Sequence, residues 1–206
     1  MTQPTIVLGT HNVKKGAELR EFLLPRGVQL TTLADFPNAI EVVEDGDSFA
    51  ANAALKATQQ AVHLQQWVIG EDSGLSVDAL NGAPGIFSAR YSGADATDQS
   101  NNDRLLLELA EVPVKQRSAF YTCHVAVSDP SGQVRLTCEE TCRGRIRVQP
   151  AGNAGFGYDP LFELVEYHRT FGQLGGAVKS VLSHRARAMR QFVPQLVQLL
   201  MAESIC

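Results

Sequence analysis

The chain has 206 residues, of which 44% are hydrophobic and 19% charged, and its formal net charge is −4. A chain of this length and composition can bury a core without disulfides or metal, and its acidic balance argues against a dedicated nucleic-acid binder, which needs an excess of basic residues. No apolar run approaches the ~20 residues of a membrane span, and no signal peptide is visible, so we expect one cytoplasmic domain over residues 1–206.

The first third of the chain alternates strand and helix patterns. Residues 5–8 predict a buried strand, and apolar residues at helical spacing then predict a helix that ends before Pro25. A second helix is predicted from residue 48 to about residue 63. A short buried strand follows at residues 67–69 and is predicted to stop at Gly70.

The rest of the chain adds two longer strands and two helices. Residues 101–109 predict a helix, and residues 120–127 and 133–148 predict strands joined by a turn at residues 129–132. The last helix carries apolar residues on one face, at positions 189–200, which is either core or dimer contact. This order of elements predicts an α/β or α+β domain with a mixed sheet.

Two polar segments carry candidate functional residues. Residues 9–15 follow the first strand and open the first helix, so backbone N–H groups and a lysine could hold an anion. This is not a P-loop, because Lys14 and Gly16 replace two of its defining residues, and a plain solvated loop is the alternative. Asn52 and Lys56 lie four residues apart and therefore share one face of the second helix.

Two carboxylates follow the second predicted strand. Glu71 and Asp72 lie where α/β proteins commonly bind ligands, and carboxylate oxygens suit Mg²⁺. Consecutive strand residues face opposite ways, so both can serve one site only in a loop conformation. Glu44 and Asp45, before the second helix, are further candidate ligands. The alternative for each pair is an ordinary acidic turn.

Glycines cluster at residues 152–157 and 172–176, which predicts loops that can approach a ligand closely. The segment 155–160 combines glycines with two aromatic residues and an acid, a composition suited to a loop that stacks on a planar base. Lys179 and residues 183–185 add hydrogen-bond donors near the start of the last helix. We therefore predict a base-binding region in this part of the chain.

Other chemistries are weakly supported. A nucleophilic triad could combine Ser73 or Ser183 with His184, but the chain has no GxSxG elbow. A zinc site could use two cysteines and a histidine, but unreactive thiols in a reducing compartment are the favoured interpretation. The cysteines are Cys123, Cys138, Cys142 and Cys206.

Taken together, these segments resemble the inosine triphosphate pyrophosphatase family, the dITP/XTP pyrophosphatases of bacteria and their eukaryotic relatives. The matching segments keep the family's order and span nearly the whole chain; they are residues 10–15, 48–57, 71–80, 82–85, 88–93, 155–160 and 183–185. The resemblance implies an elongated two-lobed α/β fold with a central mixed sheet and the nucleotide between the lobes, a required Mg²⁺ ion and a homodimer. It also implies hydrolysis of ITP, dITP and XTP to the monophosphate and pyrophosphate.

The resemblance also implies roles for single residues. Asp72 resembles the catalytic base, and Glu44 and Asp72 resemble the acids of the metal site, whereas Glu71 and Asp45 stay without a role. The residues that resemble substrate contacts are Thr10, His11, Asn12, Val13, Lys14, Lys15, Lys56, Ser73, Phe156, Gly157, Tyr158, Asp159, Lys179, His184 and Arg185.

The chain departs from the family's usual pattern at three places. His11 and Lys14 stand where glycines are common, Ala51 replaces a glutamate that would complete a capping box, and Gly172-Gln173 replaces Ala-Glu.

Two other functions stay open. One is a pyrophosphatase for other modified nucleotides, and the other is a nucleotide sensor that binds without cleaving.

Overall fold

A computed structural model describes residues 4–203 and shows a mixed α/β protein. Within these residues the strands are β1 (Thr5–Leu8), β2 (Gln29–Thr32), β3 (Val68–Val77), β4 (Ser118–Ser128), β5 (Val134–Ile146), β6 (Phe162–Leu164) and β7 (Arg169–Thr170). The α-helices are α1 (Val13–Leu23), α2 (Phe49–Leu64), α3 (Asp98–Glu108), α4 (Phe171–Leu182) and α5 (His184–Glu203). The strands hydrogen-bond in the order β2-β1-β3-β4-β5-β6-β7.

The chain divides into two compact units. The first contains the chain up to Asp72, Cys123–Glu139 and the chain from Ala188 onward, and the second contains Ser73–Thr122 and Glu140–Arg187. In the first unit β1 runs parallel to β2 and β3. The apolar run of β1 is fully buried because strands in the interior of a parallel sheet are covered on both faces.

Helix α2 packs unusually close to β3 in the first unit. A Cβ atom on Gly70 would lie 2.0 Å from the carbonyl oxygen of Ala53 and 2.7 Å from the nitrogen of Ala57. Only glycine permits this contact, because any side chain would overlap the helix backbone. At its N-terminus α2 is capped by Ser48, whose hydroxyl accepts from the nitrogen of Ala51 at 3.2 Å. The close packing brings polar residues of α2 beside β3.

The apolar face of α5 belongs to the core of the first unit. Its buried residues pack with apolar residues of α1 and β3 and are Met189, Phe192, Val193, Leu196 and Leu200. Of the two alternatives for this face, core contact is therefore the one that the structure shows.

The second unit has its own aromatic core. Strand β6 runs antiparallel to both β5 and β7. The rings of Phe162 and Phe171 stack with centroids 5.6 Å apart, and Tyr121 lies 4.6 Å from Phe162. All three side chains are buried, and their rings belong to the apolar core of this unit.

A predicted strand end and a predicted loop were wrong. Strand β3 does not stop at Gly70 but continues to Val77, because residues 68–77 are almost all buried. Residues 172–176 belong to α4, which starts with a capping box between Thr170 and Gln173. Gly175, with φ of 76° and ψ of 179°, departs from helical geometry and kinks α4 at this point.

None of the cysteines within residues 4–203 forms a disulfide. Cys138 donates to the carbonyl oxygen of Ala188 at 3.6 Å, and burial raises the pKa of Cys142 to about 11, which keeps this thiol protonated. Among residues 4–203, no three His, Cys, Asp or Glu side chains group closely enough to hold a metal ion by themselves. Cys206 lies outside the described residues.

Over the same residues, no helix is both long enough and apolar enough to cross a membrane.

Candidate active site

The predicted site residues divide between the two units. Those in the first unit are residues 10–15, Glu44, Lys56 and Asp72. Those in the second unit are Ser73, residues 156–159, Lys179, His184 and Arg185.

Asp72 is held by two side chains of α2. Its Oδ1 lies 3.0 Å from Nζ of Lys56, and its Oδ2 accepts from Nδ2 of Asn52 at 3.3 Å. Asn52 and Lys56 do share one helix face, as their spacing predicts. Asn52 is fully buried and also accepts from the backbone nitrogen of Gly46 at 2.9 Å. It therefore holds the segment before α2 as well as the carboxylate on β3.

Lys56 is shared between two carboxylates. Its Nζ lies 3.0 Å from Oε2 of Glu44 and 3.0 Å from Oδ1 of Asp72. Burial by itself would lower the pKa of Lys56, but the Asp72 and Glu44 carboxylates outweigh it and raise the pKa. Lys56 is therefore a permanent ammonium, and two acids from different segments converge on it. Asp45, the next acid along the chain, is exposed.

Asp72 itself has a raised pKa. Burial is the largest cause, and it exceeds the opposing effects of Lys56 and Lys15, while Glu44 raises the pKa further. A carboxylate of this kind binds a proton more readily than an exposed aspartate does. The environment of Asp72 therefore favours a role as a proton acceptor.

Glu71 precedes Asp72 in β3, but its carboxylate contacts different side chains. Its Oε2 lies 3.1 Å from Nζ of Lys15, and its Oε1 accepts from the thiol of Cys123 at 3.6 Å. Because the two acids are consecutive in a strand, their side chains leave opposite faces of β3. The loop conformation proposed for them is thus absent, and Glu71 ties the start of α1 to the strand.

The loop before α1 is organised as a helix cap. The side-chain oxygen of Asn12 accepts from the nitrogens of Lys14 and Lys15 at 3.0 and 3.2 Å, and Thr10 Oγ1 accepts from Asn12 N at 3.2 Å. His11, Val13 and Lys14 are exposed. The phosphate contacts assigned to this loop stay predictions, and three of its N–H groups, those of Asn12, Lys14 and Lys15, already have an acceptor within the loop.

In the second unit, Asp159 organises the predicted base loop. Its Oδ2 accepts from the nitrogen of Phe156 at 2.9 Å and from Nζ of Lys179 at 2.6 Å. Gly155 has φ of 80°, and a Cβ atom there would lie 2.0 Å from the same carboxylate oxygen, so only glycine fits. Nζ of Lys179 lies 4.0 Å from the ring centroid of Phe156, which is a cation–π distance.

The first residues of α5 lie beside this loop. Arg185, only 2% exposed, donates from Nη2 to Oγ of Ser73 at 3.1 Å, and its guanidinium carbon lies 6.0 Å from the Phe156 ring centroid. The ring of His184 stacks on Tyr121 with centroids 4.7 Å apart. The half-buried ring of Phe156 thus has two cationic side chains, Lys179 and Arg185, near it.

Tyr158 has a structural position within the loop. It is 4% exposed and belongs to the apolar core, and its hydroxyl donates to the carbonyl oxygen of Ser88 at 2.8 Å. Burial raises the pKa of this hydroxyl well above its usual range. Tyr158 therefore anchors the loop, and its assignment as a substrate contact stays a prediction.

Three polar residues of these sites are not among the site residues assigned from sequence. They are Asn52, which holds Asp72, and the pair Asp98 and Asn102, which bond both backbone groups of Gly157. The predicted helix begins only at residue 101 and therefore omits Asp98 from α3. Thr97, with its capping box to Ser100, is the sequence signal that marks the true start of this helix.

Comparisons with known proteins agree over nearly the full chain. The Ham1 family profile matches residues 6–195. A dITP/XTP pyrophosphatase of Rhodopirellula baltica is 56% identical over 199 residues, which cover 97% of this chain and 96% of that protein. The solved structure of a HAM1 protein from Coxiella burnetii superimposes with a TM-score of 0.86 at 33% identity, covering 97% of this chain and 99% of that one. A nucleoside-triphosphatase, dITP/XTP pyrophosphatase, from Mycobacterium abscessus has a TM-score of 0.76 at 40% identity, covering 91% and 97%.

Proposed function

This chain belongs to the Ham1 family, and from that membership we infer that it is a nucleoside triphosphate pyrophosphatase. It hydrolyses non-standard purine nucleoside triphosphates such as dITP, XTP and ITP to the monophosphate and pyrophosphate, as the names of its relatives indicate for the first two. One observation of the structure supports this chemistry above all others: the carboxylates of Glu44 and Asp72 each lie 3.0 Å from Nζ of Lys56.

Mg²⁺ is the cofactor that the acids of this cluster fit. The carboxylate oxygens of Glu44 and Asp72 converge on one cationic atom, Nζ of Lys56, and carboxylate oxygens are ligands that Mg²⁺ prefers. We therefore assign these two acids as the metal-binding residues. When bound, the ion would neutralise charge on phosphate oxygens. Because Lys56 already occupies the position between the acids, we expect the ammonium and the ion to compete for them.

The chemical step uses the carboxylate of Asp72. We propose that its carboxylate orients a water molecule and accepts a proton from it as the water oxygen attacks the α-phosphorus. The bond from the α-phosphorus to the oxygen that bridges to the β-phosphorus breaks, and pyrophosphate leaves with the electron pair. The ammonium groups of Lys15 and Lys56 stabilise the negative charge on this leaving group.

Base selection is assigned to the second unit. The ring of Phe156 offers a stacking surface, and the guanidinium of Arg185 carries donors only. Hypoxanthine and xanthine present an acceptor oxygen at position 6, whereas adenine presents an amino group there. Adenine would therefore place two donors against each other, and we propose that this mismatch rejects ATP and dATP.

We further propose that the protein acts as a homodimer in the cytoplasm. The family resemblance supports the dimer, and cysteines that form no disulfide within residues 4–203 are in keeping with a reducing compartment. Light scattering on a size-exclusion column tests the dimer: a mass of one chain at micromolar concentration would contradict it.

Pyrophosphate release from a panel of triphosphates tests the proposed function. We expect rapid release from dITP, XTP and ITP with Mg²⁺, slow release from dATP and dGTP, and almost none in EDTA. Preference for a modified pyrimidine or methylated nucleotide would favour the first alternative function. Tight binding without release of pyrophosphate would favour a sensor.

Lys56→Met should destabilise the protein in a metal-dependent manner. The methionine can pack like the lysine stem, but Glu44 and Asp72 lose the cation they share. We expect the free energy of unfolding to fall by about 2 kcal/mol in EDTA. This loss is below the range for fully buried pairs because the Glu44 side chain is 34% exposed. Millimolar Mg²⁺ should restore part of this loss, since the ion can then occupy the vacated position.

Thermal unfolding with EDTA and with Mg²⁺ measures this effect. Lys14→Met, at an exposed lysine, is the matched control and should change neither melting temperature. An equal loss of Tm in both conditions for Lys56→Met would argue against a metal site at Glu44 and Asp72.

A further inference from the structure

We propose that Asp98 and Asn102 of α3 are positioning residues that fix the base loop and thereby set the discrimination among purine bases. This inference rests on the proposed function, because it assumes that residues 156–159 contact the base. Neither residue needs to touch the substrate. Both act through Gly157.

The two side chains bond both polar groups of the Gly157 backbone. The nitrogen of Gly157 donates to Oδ2 of Asp98 at 2.8 Å, and its carbonyl oxygen accepts from Nδ2 of Asn102 at 3.0 Å. Residues 98 and 102 are four apart in α3 and therefore lie on the same helix face. Asp98 and Asn102 thus clamp a single residue of the loop from one rigid element.

The orientation of the Asn102 amide is fixed by its partners. Nδ2 also donates to the carbonyl oxygen of Asp98 at 2.8 Å, so it faces two acceptors that the amide oxygen could not satisfy. Asn102 is 8% exposed, and its donation to Gly157 is therefore sheltered from water. Such a hydrogen bond restrains the loop more firmly than one that competes with solvent.

Gly157 depends on these bonds because it has no side chain that could anchor it. Its φ is 61°, and a Cβ atom placed on it would meet no heavy atom within 4 Å. Glycine rotates more freely than any other residue, and rotation here would re-aim the adjacent Phe156 ring. On either side, Phe156 N is held by Asp159 and the Tyr158 hydroxyl by Ser88. The bonds from Asp98 and Asn102 therefore hold Gly157, the one residue of 156–159 that has no side chain.

A rigid loop matters more for selectivity than for turnover. A wrong base is rejected when its polar groups stay unpaired, and this happens only if the protein cannot shift to accommodate them. A loosened loop could adjust to the amino group at position 2 of guanine. Loss of the clamp should therefore improve the relative use of dGTP and weaken binding of dITP.

Asp98→Ala and Asn102→Asp test the clamp. Asp98→Ala removes the acceptor for Gly157 N, and Asn102→Asp replaces a donor by an acceptor that faces the Gly157 carbonyl. We expect each to lower the ratio of kcat/KM for dITP over dGTP by about 10-fold, mainly through KM, with kcat for dITP changed less than about 2-fold.

Two further variants separate positioning from stability. Asp98→Asn keeps an oxygen that can accept from Gly157 N while it loses the helix-terminal charge, so it should retain the parent ratio. Asp103→Ala removes an exposed acid of the same helix and should have no effect. Because the ratio compares two substrates on the same folded enzyme, a purely structural role would leave it unchanged.

The outcomes distinguish the clamp from the proposed function. Parent protein that releases pyrophosphate from no non-standard purine triphosphate overturns the proposed function and the clamp with it. A selective parent whose ratio survives both Asp98→Ala and Asn102→Asp overturns the clamp alone. Asp98 is exposed, so its alanine variant keeps the test available if Asn102→Asp fails to fold.

Discussion

Asp72→Asn should lower kcat for dITP hydrolysis by about 10³-fold, because the variant lacks both the proton acceptor and one charge of the proposed metal site. The amide keeps the shape of the side chain. It also removes a carboxylate whose burial raises its pKa, so the folded state loses an unfavourable buried charge while Lys56 keeps Glu44 as a partner. We therefore expect Tm within a few degrees of the parent value.

Single-turnover and steady-state assays of pyrophosphate release, with Mg²⁺ in excess, measure this effect. Asp45→Asn is the matched control, since it changes an exposed acid beside Glu44 and should retain full activity. Turnover of Asp72→Asn near the parent rate would mean that another group activates the water.

Arg185→Ala should narrow the preference for ITP over ATP by about 100-fold. The lost guanidinium is the proposed donor to the oxygen at position 6, so kcat/KM for ITP should fall steeply. The value for ATP should fall much less, because the mismatch between two donors disappears together with the lost donor. Arg185 is buried and bonded to Ser73, and some loss of Tm is expected as well.

The ratio of the two kcat/KM values, measured at a temperature where the variant is folded, isolates base selection from stability. Arg190→Ala, at an exposed position of the same helix, should leave the ratio unchanged. Equal fractional losses on ITP and ATP would instead assign Arg185 to the phosphates or to the fold.

The local periodicity of the sequence was sufficient to predict most elements of the fold. Strand β1, helices α1 and α2, and the hairpin of β4 and β5 lie where their patterns predict them, because each has a regular apolar repeat and a clear cap or turn. The glycines of α4 were misleading, since a capping box at Thr170 and Gln173 starts a helix in spite of them. The assignment of residues 1–206 to a single domain stays a prediction.

The site was predictable only where its residues lie on one element. The shared face of Asn52 and Lys56 follows from helical spacing, but their contact with Asp72 depends on how α2 packs on β3. Likewise, the separate partners of Glu71 and Asp72 follow from the extension of β3 beyond Gly70, which depends on tertiary burial. Asp98 was missed because its role requires a contact with residue 157, far along the chain.

The contact of Gly70 with the backbone of α2 also bears on how this protein can be re-engineered. There, main-chain atoms rather than exchangeable side chains set the spacing between Asp72 and Lys56. A Cβ atom on residue 70 would lie 2.0 Å from the carbonyl oxygen of Ala53. Libraries that seek a new nucleotide preference can therefore randomise positions in the second unit and retain catalytic spacing. Position 70 should be excluded from such libraries, because even a methyl group would displace the helix that carries Lys56.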